Sequence, residues 1–195
     1  YVNVLTANGL NVTYNQRAVL LDRPEIRLML SLLKVINDPY NDTELAKVLM
    51  SPLYCFTADD MARLRTGTFG FDISKIRAEC ADELEKYCLG TKEIVGMKRK
   101  PLYSSVMQAV RGYDTSEYEK LHELTKDIKP DAKCAGFVND LDSFRNAATA
   151  SSPQELIRSI YDRISADELL SVGDAPATRQ ANLELLVSYA REYSD

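Results

Sequence analysis

The stretch DRPEIRLMLSLLKVINDP, residues 22–39, constrains the fold more than any other, because it spells a helix that is apolar on nearly every side. At 100° per residue, Arg27, Ser31, Lys34 and Asp38 fall on one narrow stripe, while Ile26, Leu28, Met29, Leu30, Leu32, Leu33, Val35 and Ile36 cover the rest. Such a helix belongs at the centre of a bundle. Its ends are punctuated as well. Asp22 is placed to cap it, Glu25 stands at the spacing for a reciprocal carboxylate bond, and Pro24 lies in the first turn, where no N–H is needed. Asn37, Asp38 and Pro39 stop it.

The rest of the chain supplies helices to surround this spine. YVNVLTANG reads as a short helix closed by Gly9, and LNVTYNQRAVLL, residues 10–21, is the one stretch rich enough in β-branched and aromatic residues for a strand. After it, Asn41 with Glu44 starts a helix that Ser51 and Pro52 end, and Thr57 with Asp60 starts another that Gly67 ends. Ile73, Ile76, Cys80, Leu84, Tyr87 and Cys88 mark a longer helix reaching Gly90. Further stripes run from Leu102 to Tyr113, from Tyr118 to Leu124 and from Cys134 to Phe144. SPQE, residues 152–155, is a cap, a first-turn proline and a capping-box glutamate, and a last helix runs from about Arg179 to Tyr193. The expected fold is all-α: an irregular multi-helix bundle with at most one short strand near residues 10–21. No repeat of fixed period supports a solenoid.

Composition narrows the function classes. With 195 residues, 45% hydrophobic and 27% charged, the chain can bury one sizeable core or two small ones. No apolar run approaches the roughly 20 residues of a membrane helix, and YVNVLTANGL lacks the basic start and apolar stretch of a signal peptide, so a cytoplasmic location without a membrane partner is expected. Cys55, Cys80, Cys88 and Cys134 are 25, 8 and 46 positions apart, which provides no CxxC pair and points to reduced, mostly buried thiols rather than a metal site. Residues 1–112 hold 15 Lys+Arg against 13 Asp+Glu, and residues 113–195 hold 9 against 16. Neither part is a basic nucleic-acid module, so any DNA contact must come from a local patch, and MKRKP, residues 97–101, is the only dense one.

The catalytic inventory is nearly empty. The single histidine, His122, sits in EKLHELTKD, a solvated helix position. GTKEIVGMK, residues 90–98, has glycines and a lysine but neither the spacing nor the Ser/Thr of a phosphate loop. Asp59/Asp60 and Asp82/Glu83 fall at helix starts or on exposed faces, where the helix dipole and solvation account for them. By its own chemistry the chain is a binding or positioning module.

LLDRPEIRLMLSLLKVINDPYNDTELAKVLMSPL, residues 20–53, resembles the segment of superfamily 1 DNA helicases of the UvrD/RecB type that follows the first part of the second motor domain. The likeness runs through Arg23, Glu25, Ile26, the leucines to Leu33, Ile36, Pro39, Asp42 and Pro52. ELIRSIYD, VGDAP and RQANLELLVSYAREYS are similar to the stretch before the last motor motifs in the AddA family of bacterial helicase/nuclease proteins, and FVNDLDSFRNAATASSPQEL resembles its middle helices. The resemblance implies that residues 1–21 are a remnant of the second RecA-like motor domain (2A) and residues 22–195 the helical 2B subdomain. It implies a parent that is an ATP-dependent DNA helicase and exonuclease in double-strand break repair and recombination, with ATP and magnesium used elsewhere in that parent and no cofactor in this segment. The implied partners are DNA, the parent's own motor domains and an AddB-like protein.

Residue by residue, the resemblance carries over little. Arg23 matches the arginine beside the single-stranded DNA track, where either a phosphate contact or a helix-start salt bridge is open. Where UvrD-type relatives use a glycine turn to grip duplex phosphate, this chain reads LYCFT, residues 53–57, which puts that grip in doubt. Tyr54 is a candidate to stack on or hydrogen-bond to DNA, with a packed aromatic as the alternative. Lys98, Arg99 and Lys100 are candidates for duplex phosphate contacts on a loop bracketed by Gly96 and Pro101, with a solvated basic loop as the alternative. A helical protein-interaction domain with no DNA role is the other function class left open.

Overall fold

The computed structural model describes residues 20–93, 100–129, 131–163 and 176–192, and every regular element among them is a helix. In chain order these are α1 (Pro24–Asn37), α2 (Asp42–Leu49), α3 (Ala58–Thr66), α4 (Ile73–Glu93), α5 (Leu102–Arg111), α6 (Glu119–Thr125), α7 (Ala132–Ala150), α8 (Pro153–Arg163) and α9 (Pro176–Glu192). The all-α expectation is met. Of the stretch expected to hold a strand, residues 10–19 lie outside the described residues, and Leu20 and Leu21 are helical.

Helix α1 is the spine, packed by α2, α7 and α9. Ile26, Met29, Leu32, Val35 and Ile36 are buried along it. Ser31, expected on the polar stripe, is buried too, because α2 folds back over that side. Its start differs from the sequence expectation. Pro24 forces the residue before it out of helical geometry, so Arg23, extended at φ −68° and ψ 136°, is the N-cap, and no side chain caps it. Asp22 instead pairs with Arg27 at 2.7 Å, and Glu25 accepts a 2.8 Å bond from Asn182 of α9, which ties the first and last described helices together. The later helix starts follow the sequence more closely. Asn41 accepts from the Glu44 N–H at 3.3 Å, and Thr57 and Asp60 form a complete capping box that Gly67, at φ 68°, closes on the far side. At α8 the Ser152 N–H and hydroxyl both donate to Glu155 at 2.9 Å, so the glutamate reaches back while the serine does not accept in return.

Two cores result. The main one joins α1, α2, α3, α5, α7, α8 and α9 around Ile26, Leu45, Leu102, Phe137, Leu141 and Ile160. A satellite joins α4 and α6 through Phe71, Ile76, Leu84, Tyr87 and Leu121. Tyr113 bridges them, edge-on to Phe71 at 5.1 Å. Helix α4 breaks at Cys80 (φ −150°, ψ 52°), a bend that no proline or glycine announces. Glu83, expected to be merely solvated, accepts the Leu121 N–H at 2.9 Å and so holds α6 to α4.

Glu44 makes the helix pair α1 and α2 sensitive to acid. Its carboxylate is buried beside the Ser31 hydroxyl and accepts from Lys47 at 3.0 Å and Lys34 at 3.3 Å. The Ser31 hydroxyl first, then the Lys47 and Lys34 ammonium groups, hold its pKa down at about 2. A carboxyl whose folded pKa is depressed binds its proton more readily when unfolded, so its contribution is present above the ordinary glutamate pKa and is lost as pH falls towards about 2. Between pH 5 and pH 2 the wild type is expected to lose on the order of 2 kcal/mol through this group. Urea midpoints measured across that range check it: Glu44→Gln should give a flatter profile, and parallel profiles would contradict the assignment.

Candidate nucleic-acid interface

The residues expected to touch DNA are not gathered at one place. Arg23 starts α1 with its side chain exposed and forms no ion pair among the described residues. Lys100 is tied through Arg65 to Asp42, just past the other end of α1, and a helix of this length spans about 21 Å. Lys98 and Arg99 lie outside the described residues. Tyr54 is half-buried, its ring edge-on to Phe137 at 5.1 Å and its hydroxyl donating to Asp140 at 3.3 Å. Arg163 holds the other oxygen of that carboxylate at 2.8 Å. Burial, with the Asp140 charge behind it, pushes the Tyr54 hydroxyl well above the ordinary tyrosine range. The ring thus fastens the turn after α2 to α7.

That turn has no backbone donors left for phosphate. The Leu53 N–H goes to the Ser51 hydroxyl, those of Tyr54 and Cys55 to the Ser51 carbonyl, that of Phe56 to Leu49 and that of Thr57 to Asp60. Cys55 adopts φ 53°, the left-handed region that glycine occupies freely, so the chain makes a glycine-like turn without glycine. Its carbonyl is also taken, by Lys133 at 3.3 Å. The doubt raised by LYCFT therefore has a concrete basis: the donors a phosphate grip needs are spent inside the fold.

Lys100 belongs to a built corner instead. Asp42 at the start of α2 accepts the Leu102 N–H at 2.7 Å, which caps α5, and pairs with Arg65 of α3 at 2.7 Å. Arg65 also donates to the Lys100 carbonyl, and the Lys100 ammonium donates to Gln108. Partial burial draws that ammonium below the usual lysine range. The same corner brings Tyr40, from the turn between α1 and α2, edge-on to Tyr103 of α5 at 5.4 Å and 82°, with Arg111 lining the same groove. None of Tyr40, Tyr103 and Arg111 stands out in the sequence, because α2 packing on α5, rather than any linear spacing, makes them neighbours.

The remaining chemistry is sparse. His122 is exposed and its Nδ1 shares a 3.1 Å hydrogen bond with Thr115. Cys80 and Cys134 are buried and Cys55 is exposed, and none of the four cysteines is in a disulfide among the described residues. Burial pushes the Cys134 thiol up to about 12. Among the described residues no three His, Cys, Asp or Glu side chains gather as metal ligands, and no helix is long and apolar enough to cross a membrane.

No protein-family model matches the chain. Curated proteins do, and over nearly its whole length. It is 28% identical over 192 residues, 98% of its length, to the A subunit of the ATP-dependent helicase/nuclease of Geobacillus thermodenitrificans. Proteins of the same name match at 27% over 98% of the chain in Geobacillus kaustophilus and at 23% over its full length in Lachnoclostridium phytofermentans. The chain spans only 12 to 14% of the length of these relatives. The expected resemblance to helicase/nuclease A subunits is borne out.

Proposed function

We propose that this chain is the helical 2B insertion of an ATP-dependent DNA helicase/nuclease acting in double-strand break repair and recombination, and that it serves there as a non-catalytic arm that positions DNA. The observation that carries the reading is the likeness to helicase/nuclease A subunits along 98% of the chain, at a length that is 12% of theirs. On this reading residues 1–21 belong to the 2A motor domain and residues 22–195 to the 2B subdomain. ATP and magnesium act in the motor domains, and an AddB-like protein is the partner of the whole enzyme. On the same reading Arg23, exposed at the start of α1, contacts a strand leaving the motor, and Lys98, Arg99 and Lys100 supply duplex phosphate contacts in place of the backbone grip that the LYCFT turn lacks. Tyr54 braces that turn against α7 from behind.

The coding sequence on either side of residues 1 and 195 tests the parent directly. A phosphate loop on the N-terminal side and the late motor motifs on the C-terminal side are expected. A reading frame flanked by unrelated sequence would leave only the interaction-domain reading.

A further inference from the structure

We infer that the groove between the α1–α2 turn and the outward face of α5 holds one unpaired nucleotide of a single DNA strand, its base against Tyr40 and its phosphate between Lys100 and Arg111; that the strand is DNA rests on the function proposed above. The groove encloses about 400 Å³, within the range of sites that bury small organic groups. Tyr40 is 58% exposed, and the turn that carries it is fixed: Asp38 accepts the Tyr40 N–H at 3.0 Å and the Asn41 N–H bonds back to the Asp38 carbonyl. Tyr103 meets it edge to face, an arrangement that leaves at least one face of each ring clear of the other. An aromatic held in place with a wet face is what a base needs for stacking, whatever its identity.

Among the described residues no carboxylate lines the groove. Among them the Lys100 ammonium has only the neutral Gln108 amide as acceptor, and burial draws its pKa below the usual lysine range. Arg111 and Arg145 form no ion pair among the described residues, although both act on the Tyr103 hydroxyl. Asp142 acts on the same hydroxyl, and the Asp38 carboxylate lies beside Tyr40. Of the described residues lining the groove Lys100 and Arg111 are cations and none is a carboxylate, while Asp38 and Asp142 lie beside it, on a chain whose net charge is −5. A nucleotide complements both features at once. Duplex DNA would satisfy the cations alone, because its base faces are buried in the stack.

The test is to titrate fluorescent oligo(dT) and a blunt mixed-sequence duplex with the 195-residue chain and with Tyr40→Ala, Tyr40→Phe and Arg111→Ala, all checked for wild-type circular dichroism. Tyr40→Ala is expected to weaken oligo(dT) binding about tenfold, Tyr40→Phe to retain it, and Arg111→Ala to weaken it with a shallower salt dependence. Duplex affinity should be unchanged by Tyr40→Ala. Oligo(dT) binding that survives Tyr40→Ala while the duplex still binds would overturn the groove and leave the positioning role standing. A wild type that binds neither DNA would overturn both.

Discussion

Phe137→Ala is expected to destabilise the chain by about 3–5 kcal/mol, the usual range for deleting a fully buried aromatic. Phe137 has no exposed surface, lies on the buried stripe of α7, and carries the Tyr54 ring edge-on against it. Helix α7 touches α1, α5 and α8, and Phe137 belongs to the main core, whose close packing resists collapse into the cavity. A domain of ordinary stability holds only about 5–15 kcal/mol in all, so this one truncation takes a large part of it. For this chain length the melting temperature should fall by roughly 10 °C or more. Leu185, 37% exposed on α9, is the control, since Leu185→Ala removes far less buried surface. Urea unfolding followed by circular dichroism measures both. Equal losses for the two variants would mean that α7 does not form the centre of the core.

Much of the fold is legible in the sequence because helix ends are local chemistry. The Thr57 and Asp60 pair, the Asn41 cap and the Pro39 and Gly67 stops work where the residues stand, whatever packs nearby. The cap expected at Asp22 sits at Arg23 because Pro24 acts on its neighbour more strongly than a carboxylate attracts an N–H. Ser31 illustrates a different limit. Helical period assigns it to a polar stripe, but only tertiary packing reveals that α2 covers that stripe and brings Glu44 to it. The Cys80 break and the Glu83 bond to α6 are likewise products of packing, with no local sign.

The candidate site is legible only where charge is contiguous. MKRKP shows as a run, and Lys100 proves to be anchored by Arg65 and Gln108. Tyr40, Tyr103 and Arg111 come from two elements far apart in the chain, so no scan along the sequence could unite them. Tyr54 reads from the sequence either as a DNA contact or as a packed aromatic at a turn, and Phe137 and Asp140 occupy its edge and hydroxyl.

The positioning role itself is tested most directly by the salt dependence of duplex binding. Affinity of the chain alone should be weak, on the order of 10⁻⁴ to 10⁻⁶ M, because the chain is acidic overall and the contacts carry no base readout. Each phosphate contact releases counterions, so Lys98, Arg99 and Lys100 together should give a log–log salt slope near −2.7, at about 0.9 per contact. Raising salt from about 50 to 200 mM would then weaken binding roughly 40-fold. Changing all three to Ala should remove most of that slope and leave circular dichroism unaltered, since the Lys100 carbonyl bond to Arg65 does not need the side chain. Fluorescence anisotropy with a labelled blunt duplex at several salt concentrations measures it. The account predicts a slope that collapses in the triple variant. An unchanged affinity and slope would contradict it and leave MKRKP a solvated loop.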